Sequence, residues 1–204
     1  MKKFILLPVF AFCVGTSFAQ SVQKMRDVFG AMPDSIMPLL TKNNRLDCID
    51  FIENGIEAKI KNRVDEYSTL KVLTDDYLQM EISEANSVEL KLVATSDSTC
   101  CVYMIETFLG PLGESHLTVF DQEWNRLELP QSLKPKVRDF FPAEVNDEAA
   151  QAIRELEDFP LIEAHFAVDE KKVTFVLHTE DLSRENKKAA QEVAQPVEVS
   201  LLLP

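Results

Sequence analysis

Apolar residues that recur at every second position constrain the fold of this chain most strongly. Ile56, Ala58 and Ile60 alternate with polar residues, and the same alternation returns at 78–82 and 88–94. Since successive side chains of a strand point to opposite faces of a sheet, this period predicts strands with one apolar face and one polar face in water.

The connections between these strands are short. A turn-like segment at 84–87 separates two strands, and the turn signal at 110–113 follows a continuously apolar segment at 101–109 that suits a central strand. Residues 117–121 and 126–129 then flank another short loop, as the two arms of a hairpin do. Short turns between successive strands predict an antiparallel meander.

Spacings of three and four residues, typical of helices, precede the strands. The apolar residues at 25–29 predict a first helix with Ser21 as its N-cap. Asn44 is expected to begin a second helix, and Gly55 to end it, since glycine tolerates the left-handed conformation found at helix ends. The pattern therefore predicts a helical pair over 21–55.

The prolines at 130–145 predict an irregular connection that runs over the surface. Beyond it, Asn146 and Ser183 are expected to cap two short helices. Further strands are predicted at 162–168, 173–179 and 197–203.

These segments together predict an α+β fold: an antiparallel β meander, with the N-terminal helical pair and one or two later short helices packed on it. Residues 20–204 are expected to form a single domain. The connection at 130–145 is the place where two lobes could divide, but helices and strands occur on both of its sides.

Residues 1–19 have the pattern of a cleavable secretory signal peptide. Lys2 and Lys3 precede an apolar segment at 4–14, which is too short to anchor the chain in a bilayer. Ser17 and Ala19 then occupy the small-residue positions that a signal peptidase reads. We expect cleavage after Ala19 and no membrane span in the chain that remains.

Charge and composition argue against several kinds of partner. The formal net charge is −13 at pH 7, and loss of the two lysines of the signal peptide makes it more negative. Such a surface repels nucleic-acid backbones and anionic lipid. The chain has only five glycines, no glycine-rich phosphate loop and no G-x-S-x-G motif, so we expect neither a nucleotide cofactor nor a serine nucleophile.

Three cysteines follow the signal peptide, namely Cys48, Cys100 and Cys101. An odd number excludes complete pairing within one chain. Cys100 and Cys101 are adjacent in a predicted strand, so their side chains should point to opposite faces. Two alternatives remain: three buried, unbridged thiols, or one bridge from Cys48 to the inward-facing neighbour.

Few residues suggest chemistry. His116, His165 and His178 lie in or beside predicted strands, and none has a second ligand at metal spacing, so no metal site is expected. Asp75 and Asp76 form an acidic pair before a strand, which we interpret as a solvated turn. If the chain were a hydrolase, His116 with this acidic pair would supply its acid–base candidates.

Trp124 lies in the loop of the predicted hairpin and is the candidate ligand-binding residue. An exposed indole face stacks well on sugar rings. The alternative is that the ring folds back over its own hairpin.

Three stretches are distinctive in their order and spacing: PDSIMPLLTKNNRLDCIDFIENG at 33–55, LTDDYLQMEISEANSVELKLV at 73–93 and CVYMIETFLGPLGESHLTVFDQEWNRL at 101–127. Together they resemble a family of uncharacterised secreted proteins found in Bacteroidales. The resemblance implies an exported protein of the Gram-negative cell envelope, periplasmic or secreted, and it supplies no catalytic residues.

The leading hypothesis is a non-catalytic periplasmic or cell-envelope binding module for a protein or a glycan. Its binding surface would be the exposed sheet face or the hairpin near Trp124. The rival hypotheses are an envelope hydrolase, whose site is assembled from residues distant in sequence, and a structural assembly factor.

Overall fold

A computed structural model describes residues 23–94 and 99–201. The first half contains helices α1 (Met25–Ala31) and α2 (Lys42–Glu53), followed by strands β1 (Ala58–Lys61), β2 (Tyr67–Leu73), β3 (Tyr77–Ser83), β4 (Asn86–Ala94), β5 (Cys100–Leu109) and β6 (Gly113–Asp121). The predicted signal peptide and the predicted Ser21 cap lie outside the described residues.

The second half begins with two short 3-10 helices, Gln131–Leu133 and Val137–Phe140. They are followed by α3 (Asp147–Asp158), β7 (Ile162–Phe166), β8 (Lys172–Leu177), α4 (Arg184–Val193) and β9 (Val197–Ser200).

Strands β1 to β6 form one antiparallel sheet in chain order, and β7, β8 and β9 form a second antiparallel sheet. The predicted α+β fold with an antiparallel meander is therefore confirmed. Strand β2 was not predicted, because a bulge between Leu70 and Val72 breaks its period of two. The expected strand at 126–129 is reduced to a single bridge between Phe120 and Arg126.

The helix ends show which side chains cap them. Helix α2 begins at Lys42, because Thr41 rather than Asn44 is its N-cap. Thr41 Oγ1 accepts a hydrogen bond from Asn44 N at 3.1 Å, and Asn44 Oδ1 accepts one from Thr41 N at 3.0 Å, which completes a capping box. Gly55 has the expected positive φ, 70°. The predicted caps at Asn146 and Ser183 are confirmed.

Both faces of the large sheet are covered over its β4–β6 half. Helices α1 and α2 pack on one face and form the first core with residues such as Leu78, Leu90 and Val102. The opposite face packs against β7–β9, α3 and α4, and forms the second core around Tyr103 and Ile105. The prediction of one polar sheet face in water is therefore wrong for β4, and it holds over β1–β3 except at Val72 and Tyr77, which pack in the second core.

The connection at 130–145 is part of the second core. Leu133, Val137, Phe140 and Phe141 are all at least 92% buried. All four are members of the second core. The expectation of a connection over the surface is therefore wrong: the prolines shape its turns, and the apolar residues between them anchor it.

The three described cysteines are free and buried. Cys48 and Cys100 lie in the first core and Cys101 in the second, so the adjacent pair does point to opposite faces. Of the two alternatives, the unbridged one is confirmed. Burial raises the pKa of Cys48 to about 12, which leaves its thiol protonated and unreactive at neutral pH.

Arg45 holds together the loop between the two N-terminal helices. Its side chain is fully buried and donates hydrogen bonds to the carbonyl oxygens of Phe29 (3.2 Å), Leu40 (2.8 Å) and Met32. It also donates to Asp34 Oδ1 at 3.1 Å. One cation thus supplies donors to the buried carbonyl oxygens of Met32 and Leu40, and a second donor to Phe29 O, which also accepts from Met32 N at 3.3 Å.

We expect Arg45→Ala to lower the free energy of unfolding by about 3 kcal/mol or more, because it leaves buried carbonyl groups unpaired. Urea denaturation of residues 20–204 measures this loss. Arg63→Ala is the matched control: Arg63 binds the same Asp34 at 2.7 Å, but 46% of its side chain is exposed. The control should lose less than about 1 kcal/mol, and equal losses would contradict the assigned role of Arg45.

Candidate functional site

The second sheet meets the large sheet through the outer edge of β7. The backbone groups along this edge do not pair with another strand, and side chains of β4 and β6 bind them instead. These hydrogen bonds run from Ala164 N to Ser115 Oγ (2.9 Å), from Phe166 N to Glu89 Oε2 (2.9 Å) and from Lys91 Nζ to Val168 O (2.6 Å). The edge of one sheet is therefore sealed by side chains of another.

Glu89 begins a chain of alternating carboxylates and imidazoles. Glu89 is 4% exposed, whereas half of the His165 side chain is exposed. The contacts are Glu89 Oε1 to His165 Nδ1 (2.8 Å), His165 Nε2 to Glu163 Oε1 (3.0 Å), Glu163 Oε2 to His178 Nε2 (3.0 Å) and His178 Nδ1 to Glu180 Oε2 (3.4 Å). The hydrogen bond to Glu89 raises the pKa of His165, with a further contribution from Glu163 and partial opposition from burial.

Lys91 is the second charged residue of β4 that is buried between the sheets. Its side chain is fully buried, and its Nζ atom lies 3.0 Å from Asp76 Oδ2 and 5.7 Å from the centre of the Tyr77 ring. Asp76 therefore neutralises a buried lysine instead of only facing solvent in a turn. Asp75 pairs with Lys24 at 3.1 Å in an exposed position, as expected for a solvated turn.

The structure does not bring His116 to the acidic pair. The backbone of Asp76 pairs with Leu92 on β4. The residue of β6 that is level with Leu92 is Phe120, which comes four residues after His116. Strand geometry separates Asp76 from His116 by about 13 Å along the strands and, over three strand spacings, by about 14 Å across them. Groups so far apart cannot act on one substrate atom, so this assignment of acid–base candidates is wrong. The residue opposite His116 is Glu106, whose pKa is raised by burial.

Trp124 is buried rather than presented to solvent. Only 7% of it is exposed, and its ring centre lies 5.4 Å from that of Phe120. Trp124 has a φ of 65°, and the Asp121 carboxylate accepts hydrogen bonds from the backbone N–H groups of Glu123 and Asn125, which tightens the turn. The ring folds back over its own hairpin, so the expectation of an exposed sugar-stacking face is wrong.

Two concave surfaces formed by residues 23–94 and 99–201 have room for larger ligands. The first, which we call the open half-face, is the uncovered side of β1–β3 with its concavity of about 850 Å³. The concavity is lined by Lys59, Glu66, Tyr67, Thr69, Glu81, Ser83, Glu84, Ala85 and Leu109. The second, which we call the β6 groove, is a cavity of about 510 Å³ between the outer edge of β6 and residues 126–135.

No three His, Cys, Asp or Glu residues within 23–94 and 99–201 are grouped so that they could hold a metal ion. Over the same residues, every helix is too short or too polar to cross a membrane.

A family model described as "Protein of unknown function (DUF3256)" matches residues 17–199. The chain belongs to this DUF3256 family. The earlier resemblance to a family of unknown function is thereby confirmed. No curated protein matches the sequence.

The fold of this DUF3256 chain is also found in a solved structure, a domain of an uncharacterized protein from Porphyromonas gingivalis W83, a member of the Bacteroidales. The TM-score is 0.73 and the sequence identity 21%, and the match covers 88% of this chain and 94% of the other. At this identity the similarity shows a shared fold and no shared activity.

The sequence pattern of this DUF3256 chain did not identify Glu89, Lys91 and Glu163 as partners of the histidines and of the β7 edge. Glu89 and Lys91 occupy the polar positions of an alternating strand, and we interpreted such positions as solvent-facing. A signal was available, because the neighbouring segment 101–109 is apolar at nearly every position and therefore needs cover on both faces.

The raised pKa of His165 predicts how stability depends on pH. The folded-state pKa lies above the unfolded value of about 6.5. The stabilisation that protonated His165 contributes to the folded state is therefore complete below about pH 6.5, and it is lost as the pH rises through the folded-state pKa. Urea denaturation at several pH values between about 6 and 8.5 measures it. We expect His165→Gln to flatten this part of the profile, and a slope identical to that of the wild type would contradict the prediction.

Proposed function

We propose that this chain is an exported, non-catalytic module that binds a protein partner through the open half-face. Export rests on the basic, apolar and small-residue segments of residues 1–19, and it places the module in the periplasm or outside the cell. The acidic composition, with 34 Asp and Glu against 21 Lys and Arg, suits a protein that stays soluble there.

One observation supports the binding surface above the others. Tyr67 is 55% exposed and Leu109 is 43% exposed, and both line the same concavity. Exposed apolar side chains gathered in one place, with a polar rim, are typical of interaction sites. The rim here is formed by residues such as Lys59, Thr69 and Glu81.

The chemistry of the half-face favours a protein over a glycan. Lys59 Nζ already lies 4.7 Å from the centre of the Tyr67 ring, so one face of that ring is occupied by a cation. A sugar ring that stacks on an aromatic residue needs a free ring face. A protein interface instead uses tyrosine edges and hydroxyl groups together with aliphatic contacts.

The test is a crosslinking pull-down of the tagged mature chain from its native cell envelope, read by quantitative mass spectrometry. We expect the double variant Tyr67→Ala with Leu109→Ala to lower recovery of the bound partner about fivefold or more, the effect of losing at least 1 kcal/mol at an interface centre. Phe159→Ala is the matched control, because Phe159 is 87% exposed and lies outside the half-face. The control should recover the partner at the wild-type level.

Undiminished recovery by a folded double variant would contradict the proposed surface. Binding to a glycan array that depends on Tyr67, with no protein recovered, would replace the protein partner by a glycan.

A further inference from the structure

The outer edge of β6 carries backbone groups that no strand pairs. Near Trp124 the chain folds back along this edge, and Leu127 N donates to Val119 O (2.9 Å) while Asp121 N donates to Asn125 O (3.0 Å). The pairing ends there, and Pro130 has no N–H group to extend it. Since alternate residues of a strand direct their N–H and C=O groups to the same side, Ser115 and Leu117 present theirs outward as Val119 does.

These outward groups of Ser115 and Leu117 have no hydrogen-bond partner anywhere in residues 23–94 and 99–201. The other edges nearby are protected in ways that β6 is not. Strand β1 is only four residues long and places Lys59 and Lys61 at exposed positions, which discourages strand pairing. The β7 edge is sealed by side chains of the large sheet.

A cavity lies directly beside this unpaired edge. After Leu127 the chain diverges from β6, and the space between them is the β6 groove of about 510 Å³. Most of its apolar lining belongs to the side of the second core and includes Leu117, Val119, Leu127, Leu129, Leu133, Ile162 and Phe175. An added strand would therefore find apolar contacts on one of its two faces.

Two cations also line the groove. Arg126 is bridged to Phe120, and the side chain of Phe120 faces the first core. Arg126 and His116 therefore lie on the first-core side of the position that an added strand would occupy. Arg126 and Lys134 both line the groove, and neither forms an ion pair with a described residue. Glu128 also lines it and reduces the positive charge. Two unpaired cations at one groove stand out on a chain of net charge −13.

We infer that the β6 groove binds an extended segment of a partner protein in which apolar and acidic residues alternate, and that this segment adds to the large sheet as a further strand. Alternation matches the groove because successive side chains of a strand point to opposite faces. Apolar side chains then pack against the Ile162 side, and acidic ones meet Arg126 and Lys134. Backbone bonds to Ser115 and Leu117 supply affinity, and the two cations supply selectivity. This surface is separate from the open half-face.

Two synthetic peptides test the inference, one of alternating Val and Glu and one of alternating Val and Lys. A length of about six residues spans the edge from Ser115 to Val119. Fluorescence anisotropy measures affinity, and hydrogen exchange followed by NMR measures protection of the Leu117 amide. We expect the Glu peptide to bind about tenfold more tightly than the Lys peptide and to protect Leu117. The negative net charge of the whole chain favours the Lys peptide, so tighter binding of the Glu peptide would have to come from the local cations of the groove.

Charge reversal provides the decisive comparison. The double variant Arg126→Glu with Lys134→Glu should prefer the Lys peptide, whereas Lys42→Glu, which reverses an exposed lysine on α2, should keep the wild-type preference. Leu117→Pro removes the outward N–H group without removing a bond to β5 and should weaken both peptides. The inference is overturned if saturating Glu peptide leaves the Leu117 amide unprotected, or if the double charge reversal leaves the preference unchanged.

Discussion

The seal between the β7 edge and the face of the large sheet is the interaction on which the rest of the structure depends. Glu89 and Lys91 lie on the central strand β4, 4% and 0% exposed, where charged groups are expensive to bury. Their burial is tolerated because each finds a partner on β7 or the turn after it: Glu89 binds Phe166 N, and Lys91 binds Val168 O. Since these bonds require one position of β7, they also fix where the second sheet lies. These charged contacts thus link the position of the second sheet to β4.

The position of the second sheet decides which surfaces remain for binding. It covers the β4–β6 half of the large sheet and leaves β1–β3 open, so the concavity around Tyr67 follows from the same contacts that bury Glu89. Ser115 binds Ala164 through its side chain while its backbone faces outward at the sheet edge. One residue of β6 therefore contributes both to the seal and to the β6 groove.

Much of the fold could be predicted because local signals and packing agree. The period of two located β1, β3 and β4, the continuously apolar segment at 101–109 located β5, and the caps at Asn146 and Ser183 located α3 and α4. Prediction failed where long-range packing overrides the local pattern. Strand β2 was lost to its bulge, and the segment at 130–145 was assigned to the surface because its prolines masked four core residues. Trp124 was ambiguous, since a turn residue can face solvent or fold back, and only contact with Phe120 distinguishes the two.

The candidate sites were harder to predict than the fold for a related physical reason. A period of two reports which positions share a face and does not report what covers that face. Polar residues such as Glu89 can meet water or the unpaired edge of another sheet, and both give the same pattern. The adjacent strand β5 resolves the ambiguity, because a strand that is apolar on both faces requires a layer on each side. Charged residues beside such a strand must then find protein partners, and a sheet edge, with its unpaired N–H and C=O groups, is the backbone structure that offers them.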